Sequence, residues 1–371
     1  MRILIISKNF PPKIDGVGDY SYHLKKELSK DGSVEEIYVA TSVNEAFKTN
    51  KYFFFFYNWS IREFIKLKGF ICENAIDYIL FQYVPYSFSR LGIPLLLPFK
   101  LNLLPVKCVT VFHEIAVGYE LPNPKSWIIA SLQRLIAWKI AYTSDAVITS
   151  TGLYEKLLKK FSKKIYRIGI GPNIIAEQQS LTTLKNNIVI SSFSNRINRE
   201  LLKAVKILIE EEGIDVRLVG LGYIPDNSRI TLEKEIAHLG LDHAVSLMGI
   251  LEENEFIQHL IDSNIYLQIE PVDKNNKGGV SLKSGALAVA MSCGLPIVIT
   301  KGQMTDSDIL RHKKEVYYTT NSAENITQSI EYLLKHPELL DRLGKGSFNY
   351  YKENMTWSTI ASKYVSVLNS L

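Results

Sequence analysis

The chain is built from short apolar runs separated by amphipathic stretches, and this alternation continues from one end to the other. Runs of four to six residues rich in Ile, Val and Tyr read as buried strands, and spacings such as Tyr20, Leu24, Leu28 or the stretch from Trp127 to Tyr142 read as helices between them. Repeated βα units of this kind fold into a doubly wound parallel sheet. Strands are expected at Ile3 to Ser7, Ile37 to Thr41, Tyr78 to Tyr83, Cys108 to His113, Ala146 to Thr149 and Tyr166 to Ile170. A second series, after Gly171-Pro172-Asn173, is expected at Ile188 to Ser192, Val216 to Gly220, Val245 to Met248, Ile265 to Ile269, Pro296 to Thr300 and Val316 to Tyr318.

Two series in 371 residues mean two domains of roughly 150 to 200 residues each. The expected division is an N-terminal Rossmann-like domain over 1–172, a C-terminal Rossmann-like domain over 173–354, and a last helix over 355–371 that crosses back to the first domain. Open parallel sheets bind ligands at the carboxyl ends of their strands, so two such domains are expected to face a central cleft.

Composition narrows the class. Apolar residues make up 46% and charged residues 22%, as in ordinary globular proteins. The net charge of +5 suits a protein that handles phosphorylated ligands or visits an anionic surface, and no basic stripe interleaved with aromatics calls for nucleic acid. No apolar run approaches the ~20 residues that span a bilayer, and the N-terminal run lacks the features of a signal peptide. Cys72, Cys108 and Cys293 are odd in number and set among apolar residues, which suits buried thiols in the cytoplasm better than disulfides or a metal site.

Four segments carry a resemblance: Phe10-Pro11-Pro12-Lys13-Ile14-Asp15-Gly16-Val17-Gly18-Asp19-Tyr20 between the first strand and a helix, Thr110-Val111-Phe112-His113-Glu114 at a strand end, Ala290-Met291-Ser292-Cys293-Gly294-Leu295-Pro296, and the terminal Met355-Thr356-Trp357-Ser358. In order and spacing they resemble family 4 (group 1) glycosyltransferases of the GT-B fold. The resemblance implies transfer of a sugar from a nucleotide-sugar donor, held by the C-terminal domain, to a glycan, lipid-linked glycan or small-molecule acceptor held by the N-terminal domain. It also implies retention of anomeric configuration, a role in cell-surface polysaccharide assembly, and no metal or other cofactor.

Site residues follow position by position. Gly16 and Gly18 let backbone and helix N-terminus approach an anion or sugar, or form a tight turn that packs strand to helix. Asp19 is a favourable dipole partner in the first helical turn, or faces the acceptor. His113, which the resemblance places against the donor sugar, is the catalytic candidate, with Glu114 orienting it or capping the next loop. Arg196 and Lys283 are the candidate diphosphate cations, Arg199 a spare, and Ser284 closes the glycine and serine-rich loop from Gly278 to Gly285. Gly222 and Gly249 follow strands and floor a nucleotide pocket.

The chain departs from the family at its acidic pair. The pattern Glu-x7-Glu falls on Ser281 and Val289, and the family lysine after the arginine is Leu201. Glu270 is the nearest acidic residue at a strand end, and Ser281 and Lys283 are expected to take over part of the donor site. Asp306-Ser307-Asp308 resembles a metal-binding Asp-x-Asp and is read as a loop or helix cap. Tyr154 to Phe161 combines apolar residues with lysines, as an ordinary amphipathic helix on a sheet or as a peripheral contact with the inner face of a membrane. Two rival functions stay open: a catalytically degenerate GT-B protein that binds a nucleotide-sugar or a partner subunit, and a nucleotide-sugar epimerase.

Overall fold

The computed structural model describes residues 1–13, 15–43, 50–116, 123–176 and 188–371. The chain divides into two compact units, the first formed by Met1–Ile170 with Trp357–Leu371 and the second by Gly171–Thr356.

The first unit holds strands β1 (Arg2–Ile6), β2 (Glu36–Ser42), β3 (Phe53–Phe56), β4 (Tyr78–Tyr83), β5 (Lys107–Phe112), β6 (Ala146–Thr149) and β7 (Ile165–Arg167), with helices α1 (Gly16–Leu28), α2 (Ile61–Glu73), α3 (Pro85–Phe88), α4 (Leu97–Leu101), α5 (Pro124–Thr143) and α6 (Gly152–Leu158) between them. Its seven strands lie in the order β3-β2-β1-β4-β5-β6-β7, all parallel. The second unit holds β8 (Ile188–Phe193), β9 (Val216–Leu221), β10 (Val245–Gly249), β11 (Ile265–Gln268), β12 (Ile297–Thr300) and β13 (Tyr317–Thr319), with α7 (Arg199–Glu210), α8 (Asp226–His238), α9 (Glu253–Ile261), α10 (Gly285–Ser292), α11 (Ala323–Leu334) and α12 (Pro337–Asn354). Its six strands run β10-β9-β8-β11-β12-β13. In each sheet the strand order reverses once, beside β1/β4 and beside β8/β11, and such switch points open a crevice at the carboxyl ends of the strands.

Strands buried on both faces need apolar residues at every position. In β12, Val298 joins one core cluster of the second unit while Ile297 and Ile299 join the other, as the period of two along a strand requires. The last helix, α13 (Trp357–Asn369), packs with α1 over the first sheet. There Trp357, Ile360, Tyr364 and Leu368 join Tyr20, Leu24 and Leu28 in one buried cluster, and the Tyr20 and Tyr364 hydroxyls meet at 2.8 Å inside it.

Two details differ from expectation. Phe53–Phe56 is a strand beside β2, where the sequence shows only an aromatic run with no alternation to reveal a pleat. Phe56 is fully buried and stacks on Trp59 with centroids 3.9 Å apart, whereas Phe53, Phe54 and Phe55 are half-buried. Of the three cysteines, Cys72 is exposed near the end of α2, not buried. Cys293 is buried, and burial pushes its thiol up to about 12.

Candidate functional site

In the second unit, the end of β8 leads into the turn Ser194–Arg196 and the end of β11 into Glu270, on either side of the switch point. Arg196 Nη1 sits 2.7 Å from Glu270 Oε2. The Glu270 backbone is pinned to β12: its N–H donates to Thr300 Oγ1 at 2.9 Å, and that hydroxyl lies 2.9 Å from the Glu270 carbonyl. Gln268 Nε2 donates to Glu270 Oε1 at 3.1 Å and to Ser284 Oγ at 3.0 Å, and Ser284 Oγ in turn accepts from Leu287 N as the N-cap of α10. Arg196, Glu270 and Ser284 are therefore one connected group, with Gln268 as its hub. The guanidinium uses one of its N–H groups on Glu270, and the carboxylate holds the planar fork in a fixed orientation at the carboxyl end of the sheet.

The surrounding backbone shows why this loop needs glycine. Gly278 and Gly279 have φ of +106° and +86°, and a Cβ on Gly279 would lie 2.4 Å from Gly302 N. These two glycines let the 271–284 loop lie against the end of β12, where Val280 N donates to Thr300 O. Lys283 is half-buried in the same loop. Ser281 is 4% exposed and Val289 3%, so the positions of the missing acidic pair lie in the interior. An ionised carboxylate there would carry a large desolvation cost, and the structure seats Ser281 inside the fold.

Asp306 is buried and its Oδ2 accepts from Leu282 N at 3.2 Å. It braces the loop ahead of α10, the loop role read for the Asp-x-Asp, while Asp308 is exposed. Arg199 pairs with Glu235 at 2.8 Å in a cavity of about 570 Å³ between the starts of α7 and α8, lined also by Asn195 and Ile197 on either side of Arg196 in sequence. Gly222 and Gly249 have φ of +81° and +70° at the ends of β9 and β10. A Cβ on either would meet only ordinary contacts, so the backbone turn selects glycine there.

In the first unit, Asp15 caps α1 and its Oδ1 accepts from Val17 N at 3.0 Å and Gly18 N at 2.8 Å. A carboxylate thus occupies the helix N-terminus offered to an anion. A Cβ on Gly18 would lie 3.1 Å from Asn9 O, whereas Gly16 faces open space. Gly18 is therefore accounted for by close packing, and Gly16 is the accessible member of the pair. Asp19 is half-buried, and burial, followed by the Asp15 charge, raises its carboxyl above the usual range.

His113 follows β5. Its Nε2 lies 2.8 Å from Gln82 Oε1, and its ring meets Tyr20 edge-on with centroids 5.0 Å apart. With Oε1 as acceptor, Nε2 carries the proton. Glu114 is exposed. Around the histidine, several buried polar atoms have no hydrogen-bond partner among the described residues: Ser7 Oγ, Asn9 Oδ1, Gln82 Nε2, Tyr83 OH, Thr149 Oγ1 and Ser150 Oγ. All lie at or just beyond the carboxyl ends of β1, β4 and β6; β4 and β6 flank β5, and β1 lies beyond β4. Each unpaired buried group costs about 1–3 kcal/mol, so their concentration at one end of this sheet is a departure from the usual pairing of buried polar atoms.

Gln82 and Gln268 belong to no motif in the sequence. Both are polar residues inside otherwise apolar strands, and position near a carboxyl end, the feature that marks Glu270, is the one signal they carry.

Two parallel sheets of seven and six strands with interleaved helices, each with its own switch point, define the two-domain α/β architecture of GT-B proteins. Residues 178–349, within the second unit, match the family model of "Glycosyl transferases group 1". Among solved structures, the HepE protein of Anabaena, in complex with UDP, is similar over 100% of both chains with a TM-score of 0.70 and 15% identity. A glycosyltransferase from Rickettsia africae is similar over 100% of this chain and 98% of its own, with a TM-score of 0.69 and 15% identity. A UDP-N-acetylglucosamine 2-epimerase follows at a TM-score of 0.58 and 16% identity, over 98% and 94% of the two chains. No curated protein sequence matches the chain.

Proposed function

We propose that this protein transfers a hexose or related sugar from a nucleoside diphosphate sugar to a hydroxyl acceptor, with the donor diphosphate held by Arg196 and Lys283. The observation that carries this reading is the Arg196–Glu270 pair at the β8/β11 switch point, within the residues that match the group 1 glycosyltransferases. Charge grows on the diphosphate as the glycosidic bond breaks, and preoriented cations stabilise that change more than the ground state. Structures of similar fold carry UDP and UDP-glucose, which makes UDP-glucose the first donor to test.

His113, oriented by Gln82, acts on the transferred sugar. A glycan or lipid-linked glycan of a cell-surface polysaccharide is the acceptor, and the reaction proceeds with retention in the cytoplasm; the resemblance to family 4 supports these finer points. Side-chain cations rather than a divalent ion neutralise the diphosphate. Commitment of Asp306 to Leu282 N supports a structural part for the Asp-x-Asp.

Calorimetry with UDP and UDP-glucose, followed by donor turnover, tests the reading. Binding is expected to weaken about 10- to 100-fold in Arg196→Ala, the loss of one charge-assisted contact, and turnover to persist in EDTA. No binding of any nucleotide would favour a degenerate scaffold, and epimerised donor released without acceptor would favour an epimerase.

A further inference from the structure

The large apolar side chains that this protein leaves exposed are unevenly placed. In the second unit they occur singly, as at Ile230 on α8, and the outer positions of α7 carry charges such as Arg199, Lys203 and Glu210. In the first unit they gather on α2, on α5, and on α4 with the turn before it.

On α5 the outward positions Ile128, Leu135 and Tyr142 recur every seven residues and are 61%, 55% and 65% exposed, a single stripe where a soluble helix carries charge. On α2, Ile61 and Ile65 stand one turn apart and are exposed. Leu95, Leu96 and Phe99 project at the start of α4. These elements form one continuous surface. Helix α4 packs against both α2 and α5, Lys100 Nζ donates to Trp59 O just before α2 at 2.7 Å, and Gln133 of α5 donates to Leu91 O at 3.1 Å. A monomer rarely exposes so wide an apolar surface without a partner.

Charge indicates which partner. Arg90 in the turn ahead of α4, Lys100 on α4, and Lys125, Arg134 and Lys139 on α5 are basic, and α4 has no acidic residue. Helix α5 has no acidic residue in its 20 positions. Arg62, Lys66 and Lys68 add exposed cations on α2. Leu, Ile and Phe among Lys and Arg, with Trp127 43% and Tyr142 65% exposed, is the composition that rests in the headgroup layer of an anionic membrane.

We propose that the α2–α4–α5 face of the first unit docks on an anionic lipid bilayer, with the apolar stripe entering the headgroup boundary and the lysines and arginines meeting lipid phosphates. The face differs from the membrane contact considered from sequence: α6 buries Tyr154 and Leu158, and Phe161 beyond it stacks on Trp138 at 4.6 Å, so its apolar side serves the core. The proposal does not depend on the donor site.

The test is flotation of the full chain with phosphatidylcholine vesicles, with or without phosphatidylglycerol. The protein is expected to float with the anionic vesicles alone and to be released at high salt, where screening shortens the reach of its charges. The double variant Leu96→Glu/Phe99→Glu should reduce partitioning about 100-fold while melting as the wild type does, and Ile230→Ser on the second unit should float unchanged. Wild-type protein that stays with neither vesicle, or a folded double variant that floats as well as wild type, overturns the proposal. So does a dimer in light scattering that the same double substitution dissociates, which would give the face to a second copy of the chain.

Discussion

At the scale of residues, the site is defined by which polar side chains are held and which are left unsatisfied. Glu270 fixes the Arg196 guanidinium, and Gln82 fixes the His113 ring while its own amide nitrogen is left buried without a partner among the described residues. His113→Ala is expected to lower kcat on the order of 10²–10³-fold, as for loss of one preorganised donor. Gln82→Leu should lower kcat about tenfold with little change in KM, and steady-state kinetics would separate the two parameters. Asp19 carries a pH signature. Its folded-state carboxyl titrates above its unfolded value because of burial and Asp15. The native state therefore keeps a proton that the unfolded chain has released, and stability falls as pH rises above the ordinary aspartate range. Asp19→Asn should raise Tm slightly at pH 7, the side chain being partly solvated, and leave it unchanged near pH 3. Equal gains at both values would count against this account.

Arg196 and Glu270 are legible as charged residues just past apolar strands, and the expected strand ends lie within one residue of the observed ones except at β7, expected to run to Ile170 and ending at Arg167, and β3, which was not expected. The interior position of Ser281 and Val289 was not legible, since a Glu-x7-Glu spacing says nothing about which side of α10 meets the core.

At the scale of elements, α13 belongs to the first unit's core although 186 residues of the second unit separate it from that unit's other segment. The Tyr20–Tyr364 hydroxyl pair inside this contact provides a sensitive probe. Tyr364→Phe leaves the Tyr20 hydroxyl buried without its partner and should cost about 1–2 kcal/mol in urea unfolding, and the double variant Tyr20→Phe/Tyr364→Phe should recover most of it. Additive losses would mean that the two hydroxyls do not act as a pair. Two strands show the range of what periodicity can reveal. β4 was readable residue for residue because Tyr78 to Tyr83 is a plain buried run, whereas β3 is four phenylalanines whose strand character comes from pairing with β2.

At the scale of the whole molecule, the second unit is continuous in sequence and contains the entire family match, while the first is discontinuous. A fragment of residues 171–356 is expected to fold alone and to bind nucleotide within about tenfold of the full chain. A fragment of residues 1–170 should be unfolded or aggregated until a peptide of residues 357–371 is supplied, because it exposes the apolar surface that α13 covers. Circular dichroism and calorimetry decide both. A stable 1–170 fragment would show that α13 is dispensable for that core.

By itself, the sequence determined the two tandem parallel sheets and the strand ends where chemistry collects, because burial on both faces writes itself as apolar runs and a polar residue that ends such a run stands out. Tertiary structure alone decided that Gln82 and Gln268 join the candidate sites, that the Tyr364 hydroxyl of α13 meets that of Tyr20, and that the apolar residues of α2, α4 and α5 face outward. Those outcomes depend on contacts between residues far apart in the chain, and a local pattern records that a side chain is apolar or polar without recording what packs against it.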